Sequence, residues 1–463
     1  MITLANEKNV YAGLIITINS QLSTINFQLS IINYQLSTIM KRIIIIATLL
    51  ATISSLSAQQ YVGGDISLLP SYEDNGSKYL DQNGNTIADL ITFSAENGLN
   101  TMRVRLFVEP ANASSAHKGE GVRQDMQYVI PLAKRIKAAG LNFMLDFHYS
   151  DTWADPAKQW TPKAWLALSD DQLSQQIYDY TRDCLQQLVD AEATPDLIQT
   201  GNEISYGMLW GAEGTSANHC YSGNSANWPR FTTLLKQAGK ACREVCPSAK
   251  IILHTERVAN TGVLTNFYRQ MQNANVDYDI IGTSYYPYYH GSLSTLSNAL
   301  TILKRDFPDK PVLLVETGYF YAWQPKISSP GVDLSATYPI SPEGQKAFTT
   351  ALISTLQQHD NAVGLIWWMM EANEYGHTGS QQTTTGWYNA SLFDDQTGRV
   401  NPAFFELQTF IRQDDAIRSA ESDGLKPENR AAKTYDLLGR IASPRQKNRI
   451  VISENRKTFN LKP

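Results

Sequence analysis

Two stretches decide how this chain reads: Leu197-Ile198-Gln199-Thr200-Gly201-Asn202-Glu203 and Val312-Leu313-Leu314-Val315-Glu316-Thr317-Gly318-Tyr319. Each is a short apolar run followed at once by a glutamate. Runs of this length bounded by turn residues read as buried strands. Six more runs share the pattern: Val62–Ile66, Thr101–Phe107, Asn142–Phe147, Ile251–His254, Ile280–Ser284 and Gly364–Trp368. Between them lie stretches with apolar residues three and four apart. Asp125–Ala139 ends at Gly140, Asp171–Val189 opens on Asp, Phe231–Cys246 is similar, and Pro342 opens Glu343–Gln358. Eight strand–helix alternations predict an α/β fold, a (β/α)8 TIM barrel, with both glutamates at the C-terminal strand ends where such barrels place their chemistry.

The chain has 463 residues, 43% of them hydrophobic and 18% charged, which is enough apolar mass for a large core. A net charge of −5 and the lack of a long basic run argue against a nucleic-acid partner. The four cysteines, Cys184, Cys220, Cys242 and Cys246, have no histidine clustered with them, which argues against a metal site. Cys242 and Cys246 are one helical turn apart and poorly placed to pair with each other. Cys184 or Cys220 could reach one of them, and the connectivity stays open.

Both ends of the chain differ from the middle. The heptapeptides NSQLSTI, NFQLSII and NYQLSTI repeat over residues 19–39. They lack the flanking charges of a coiled coil and read as translation upstream of a true start at Met40. From there Lys41-Arg42, the apolar Ile43–Leu50 and small residues to Ala58 form a signal peptide over residues 40–58. The apolar core is short for a membrane anchor. A mature chain from Gln59 without a membrane span is expected, with the catalytic barrel over 59–412. Residues 413–432 are polar and punctuated by Gly and Pro, as a linker is.

The strand ends carry the candidate chemistry. The first run ends at Asp65. The second carries Arg103 and Arg105, which need carboxylate partners if buried. The third leads into Asp146-Phe147-His148-Tyr149-Ser150-Asp151-Thr152-Trp153, the fifth to His254, the sixth to Tyr285-Tyr286, the eighth to Trp367-Trp368. An Asn202-Glu203 pair suits glycosidic-bond cleavage: the amide can bind the sugar 2-OH while a glutamate kept protonated acts as general acid. Glu316, ionised and held by Arg105 and a tyrosine hydroxyl, would be the nucleophile. Rings such as Trp153 and Trp368 offer platforms for sugar faces.

Gly63–Leu69 (GGDISLL), Thr101–Pro110 (TMRVRLFVEP), Met144–Gln159 (MLDFHYSDTWADPAKQ), Pro195–Ile204 (PDLIQTGNEI), Asp279–Gly291 (DIIGTSYYPYYHG) and Val312–Tyr319 (VLLVETGY) strongly resemble glycoside hydrolase family 53, the endo-β-1,4-galactanases. The resemblance runs from about Tyr61 to Phe410. It implies a retaining barrel enzyme that cleaves the β-1,4-galactan side chains of type I arabinogalactan by double displacement. It implies Glu203 as acid/base and Glu316 as nucleophile. It also implies Asp65, Arg105, His148, Asp151, Trp153, Asn202, His254, Tyr286 and Trp368 as substrate-binding residues. Some relatives carry calcium in the loop after strand seven. Here that loop (319–341) lacks the Asp-x-Asp-x-His-x-Asn cluster, so no metal or other cofactor is expected. Met369 stands where the family commonly has a glutamate.

Tyr435–Arg440 (YDLLGR) resembles the start of a type IX secretion sorting domain, which implies a small β-domain over 433–463. A secreted, periplasmic or cell-surface monomer acting on polysaccharide is expected. Two alternatives stay open: another retaining hydrolase of the same clan, mannanase- or xylanase-like, and a catalytically silent glycan-binding surface protein.

Overall fold

The computed structural model describes residues 60–220 and 226–411, together with Gln28 and two short strands near the C-terminus. Eight parallel strands close into a barrel in sequence order: β1 (Tyr61–Asp65), β2 (Thr101–Leu106), β3 (Asn142–Phe147), β4 (Leu197–Thr200), β5 (Lys250–Thr255), β6 (Ile280–Tyr285), β7 (Val312–Thr317) and β8 (Ala362–Trp367). The (β/α)8 reading therefore holds, with strand ends moved by no more than two residues. Glu316 lies inside β7 rather than just past it.

Each strand returns through a helix: α1 (Leu90–Glu96), α2 (Met126–Ala138), α3 (Asp170–Asp190), α4 (Trp228–Val245), α5 (Thr261–Asn273), α6 (Leu293–Asp306), α7 (Pro342–Gln357) and α8 (Ala403–Leu407). Their starts follow from local chemistry. Asp125 caps α2 through the Tyr128 N–H, and Ser169 and Gln172 form a reciprocal capping box on α3. Ser341 accepts from the Gly344 N–H, with Pro342 at the first position of α7. The apolar faces of these helices and the outward strand residues share one core, which includes Val104, Leu145, Ile198 and Leu253.

A second, smaller cluster fills the lower barrel: Met144, Leu197, Ile252, Ile280, Leu313, Val315 and Ile366. Side chains alternate along a strand, so the residue two further on faces the same interior one layer higher. That step takes Met144 to Asp146, Leu197 to Gln199 and Ile252 to His254, all fully buried. The interior thus changes from apolar to polar within one layer.

At β7 simple alternation breaks. Thr283 pairs with Leu314 and Ser284 with Glu316, so Val315 is an extra residue in the ladder. A bulge of this kind re-aims the next side chain, and both Val315 and Glu316 turn inward.

The four cysteines are buried free thiols. Burial pushes Cys184 and Cys220 up to about 12 and Cys246 to about 11, so the thiolate is strongly disfavoured. No helix among the described residues is long and apolar enough to cross a membrane. Thr434–Tyr435 and Ile452–Ser453 pair antiparallel as a separate two-stranded unit. The readings of residues 1–39, 40–58 and 413–432, and the rest of 433–463, lie outside the described residues.

Candidate active site

The polar upper layer is built around Arg103. Its guanidinium is fully buried and contacts Asp65 Oδ2 at 3.0 Å, Asp146 Oδ2 at 2.7 Å and Glu316 Oε1 at 2.8 Å. It also donates to Asn202 Oδ1 at 2.9 Å. Isolated buried charges are costly, whereas one cation shared by several acceptors offsets their desolvation. This overturns the expectation that Arg105 holds Glu316. Both arginines face inward, but Arg103 sits one layer lower and reaches the centre, whereas Arg105 pairs with Asp65 Oδ1 at 3.1 Å. The Arg105 guanidinium lies 4.7 Å from the Trp153 ring centre and 5.2 Å from that of Trp368, and it supports both platforms from behind.

Above this layer opens a cleft of about 1010 Å³ at the C-terminal strand ends. Glu203 and Glu316 face each other in it, with one oxygen of each within 4.8 Å of the other. Glu203 follows a sharp exit from β4, where Gly201 has φ 106° and Glu203 itself φ 48°. The left-handed turn aims its carboxyl across the mouth instead of along the strand.

The surroundings of the two carboxyls differ. Glu316 accepts from Arg103 and from the Tyr286 hydroxyl at 3.2 Å. Glu203 accepts from Ser284 Oγ at 2.6 Å and has no cation in contact. Burial lifts both above the ordinary carboxylate range, Glu316 to about 7 despite the opposing pull of Arg103. For Glu203 the charges of Glu316 and Glu256 add to burial. Glu316 is therefore the carboxyl that ionises first, and Glu203 the one that keeps its proton.

Of the residues expected to bind substrate, Trp153, Asn202, Tyr286 and Trp368 line the cleft. The other five stand behind its wall, each held by at least one hydrogen bond or ion pair. Asp65 is saturated by both arginines and by the Ser67 N–H. His148 accepts from the Ala154 N–H and lies 3.1 Å from Asp146. His254 is enclosed by Gln199, Ser284 and the Glu203 backbone. Asp151 accepts from the Glu109 and Lys163 N–H groups and from the Asn112 amide, so it braces the loops beneath Trp153. These residues, with Arg105, hold the site in shape and do not form its surface.

Sequence reasoning passed over Arg103 as the central cation, and also Asp146, Gln199, Ser284 and Glu256. Alternation could have found Gln199 and Ser284, each two positions before a cleft or turn residue. Glu256 is buried beside the cleft, accepts from Ser205, faces Arg257 at 2.6 Å and is pushed up to about 7 mainly by burial. Met369, at φ 48°, and Trp387, at φ 70°, complete one side of the cleft in left-handed backbone. Glu203, His254 and Glu316 come close enough together to suggest a metal site. However, both imidazole nitrogens are already engaged, so the trio lacks a free nitrogen ligand.

Residues 61–407 match the family described as Glycosyl hydrolase family 53. This chain belongs to that family. A Cellvibrio japonicus arabinogalactan endo-beta-1,4-galactanase is 33% identical over 387 residues, 79% of this chain and 96% of the relative. A Thermothelomyces thermophilus protein of the same name is 34% identical over 320 residues, 67% of this chain and 89% of its own. Among solved structures, an Ignisphaera aggregans GH53 catalytic domain superposes with a TM-score of 0.67 at 32% identity, over 77% of this chain and 98% of that one. Membership of that family makes this chain a glycosidase, and Glu203 and Glu316 face each other in its cleft.

Proposed function

We propose that this chain is an endo-acting, retaining β-1,4-galactanase that cuts the galactan side chains of type I arabinogalactan. The observation that carries the reading is the pair Glu203 and Glu316, with oxygens within 4.8 Å and unequal partners. Retaining pairs stand about 5–5.5 Å apart, whereas inverting pairs need about 6.5–9.5 Å to admit a water. Glu203 gives its proton to the glycosidic oxygen as that bond breaks, and Glu316 attacks the anomeric carbon. Glu203, now ionised, takes a proton from water as water displaces Glu316. Arg103 and Tyr286 hold the nucleophile in place. The Asn202 amide donates to the Ala154 carbonyl at 2.8 Å and keeps its other hydrogen for the sugar 2-OH.

The cleft runs across the barrel mouth between ring platforms, which suits a chain bound in its middle. The similarly named relatives favour galactan over mannan or xylan. We further propose that the protein is exported by way of residues 40–58, works outside the cytoplasm as a monomer, and needs no calcium.

Product analysis on debranched potato-type galactan tests the reading. Internal cleavage should yield a ladder of β-1,4-galacto-oligosaccharides with the anomeric configuration retained. Activity on mannan or xylan but not galactan would overturn the substrate. Galactan binding without new reducing ends would mark the protein as a silent binder.

A further inference from the structure

His254 and Ser284 form a buried chain that ends on Glu203, and its polarity is fixed. The Glu203 backbone N–H points at His254 Nδ1 at 3.3 Å, and Gln199 Nε2 lies 3.1 Å from the same nitrogen. Gln199 Nε2 also faces three acceptors, Asp146 Oδ1, the Gly201 carbonyl and Asn202 Oδ1, so it is the donor end of that amide. His254 Nδ1 therefore accepts. Asn202 Oδ1, also 3.1 Å away, has donors of its own in Arg103 and Gln199. Burial and the nearby Arg103 keep the imidazole neutral. Its one hydrogen must sit on Nε2, 2.8 Å from Ser284 Oγ. The serine oxygen accepts there, so its own hydrogen is left for Glu203 Oε1 at 2.6 Å.

We propose that Ser284 is a positioning residue of the reaction: with its hydroxyl oriented by His254, it reserves Oε1 of Glu203 as an acceptor and assigns the transferable proton to Oε2. The proposal rests on the reading of Glu203 as the acid/base. No external proton is required, because the proton given to the leaving oxygen is replaced by one from the attacking water. The donated hydrogen bond is stronger to the carboxylate than to the carboxylic acid. It therefore strengthens as Glu203 loses its proton, and favours the transition state over the bound substrate. Neutral His254 can serve this role because both its neighbours along the chain are fixed by strands β4 and β6.

The titration of Glu203 has several other contributors. Glu316 faces it from β7, Glu256 from the end of β5, and Asp155 from the loop after β3. From the β6 side come Tyr286 and Tyr289 along with Ser284. His254 in turn faces Arg103, Asp146, His148 and His290. The test therefore compares variants at one position and holds these others constant.

In Ser284→Ala, kcat/KM on galactan should fall about tenfold, a fraction of the 10²–10⁴ that a positioned acid supplies. KM should change little. Loss of the donated hydrogen bond raises the acid's pKa, so the basic limb of the kcat/KM profile should move to higher pH. The defect should shrink on a 2,4-dinitrophenyl β-galactobioside, whose leaving group needs no proton, and Ser284→Thr should restore activity and limb. An unmoved limb, a change in KM alone, or an equal loss on the activated substrate would overturn the proposal. Should Ser284→Ala not fold, Ser284→Cys carries the test. A thiol fills the site but donates weakly, so the limb must move the same way. Glu203→Ala separates the two readings: it should keep activity on the activated substrate and form β-galactobiosyl azide when azide is added. If it does neither, the acid/base assignment fails and the role of Ser284 falls with it.

Discussion

On β3, β4 and β5 the lower and upper layers of the barrel interior lie two residues apart, yet they are chemically opposite. Below lie Met144, Leu197, Ile252, Leu313 and Ile366; above lie Arg103, Asp146, Gln199, His254 and Glu316. Both are fully or almost fully buried. The difference teaches where a barrel puts its stability and where its chemistry. The lower layer stabilises through apolar contact. The upper layer spends desolvation on holding charges in a fixed geometry, and this is useful only if a substrate meets them. Arg103 on β2 is held by partners on β1, β3 and β7, and His254 on β5 by Ser284 on β6, so the site is preorganised before substrate arrives.

Mutations in the two layers should separate these roles. The largest effect belongs to Glu316→Ala, which removes the proposed nucleophile and leaves Arg103 paired with Asp65 and Asp146. Turnover of galactan should fall by about 10⁴ or more, while oligosaccharide binding measured by calorimetry is largely kept. Loss of binding in parallel with turnover would make the upper layer a structural element like the lower one.

Arg103→Met comes next. It leaves Asp65, Asp146 and Glu316 buried without their shared cation, a change that costs about 3–5 kcal/mol. Chemical denaturation would measure it. Arg103 opposes the burial that raises Glu316, so its loss pushes that pKa further up. The acid limb of kcat/KM, where the proposed nucleophile ionises, should move to higher pH. The same substitution at Arg105 should leave that limb nearly in place, because Arg105 contacts Asp65 and the tryptophan rings rather than Glu316.

In the lower layer, Ile252→Ala opens a cavity against a fully buried neighbourhood and should cost about 2–4 kcal/mol. Activity at a temperature where the variant is still folded should stay within a few-fold of the parent. A large loss of kcat with unchanged stability would mean that the two layers are coupled.

The contrast between the layers also marks what the sequence could reveal. Alternation within short apolar runs is a local signal, and it located all eight strands and both glutamates. The identity of the arginine that reaches Glu316 is not local. Residues 103 and 105 share a face, and only the depth of each layer and the length of the side chain decide between them. The bulge at Val315 was equally invisible, since an apolar residue before Glu316 fits either an outward position or an extra inward one. Asp151 sits among aromatic and polar loop residues just as a ligand-binding side chain would. Its role as a loop brace depends on Glu109, Asn112 and Lys163, which come near only in the folded chain. Short-range pattern thus located the mouth, while the division between its surface and its support depended on contacts distant in sequence.

The effect furthest from catalysis comes from Glu371, a buried carboxyl beside the upper layer that has no part in the proposed reaction. It accepts from the Leu68 N–H at 2.7 Å, and its other oxygen is buried without a hydrogen bond. Burial and the charge of Asp65 push it up to about 8. An unfolded glutamate titrates near 4.3, so between that value and about 8 the folded protein holds a proton that the unfolded chain releases. Stability from this group is full below the unfolded value and is lost as pH rises through the window, with a slope of up to about 1.4 kcal/mol per pH unit. Glu371→Gln keeps the acceptor for Leu68 and removes the titration. Its denaturation midpoint should match the parent near pH 4 and exceed it near pH 8. An equal midpoint at both pH values would mean that Glu371 is ionised in the folded protein. The upper layer would then reach further round the barrel than the Arg103 cluster.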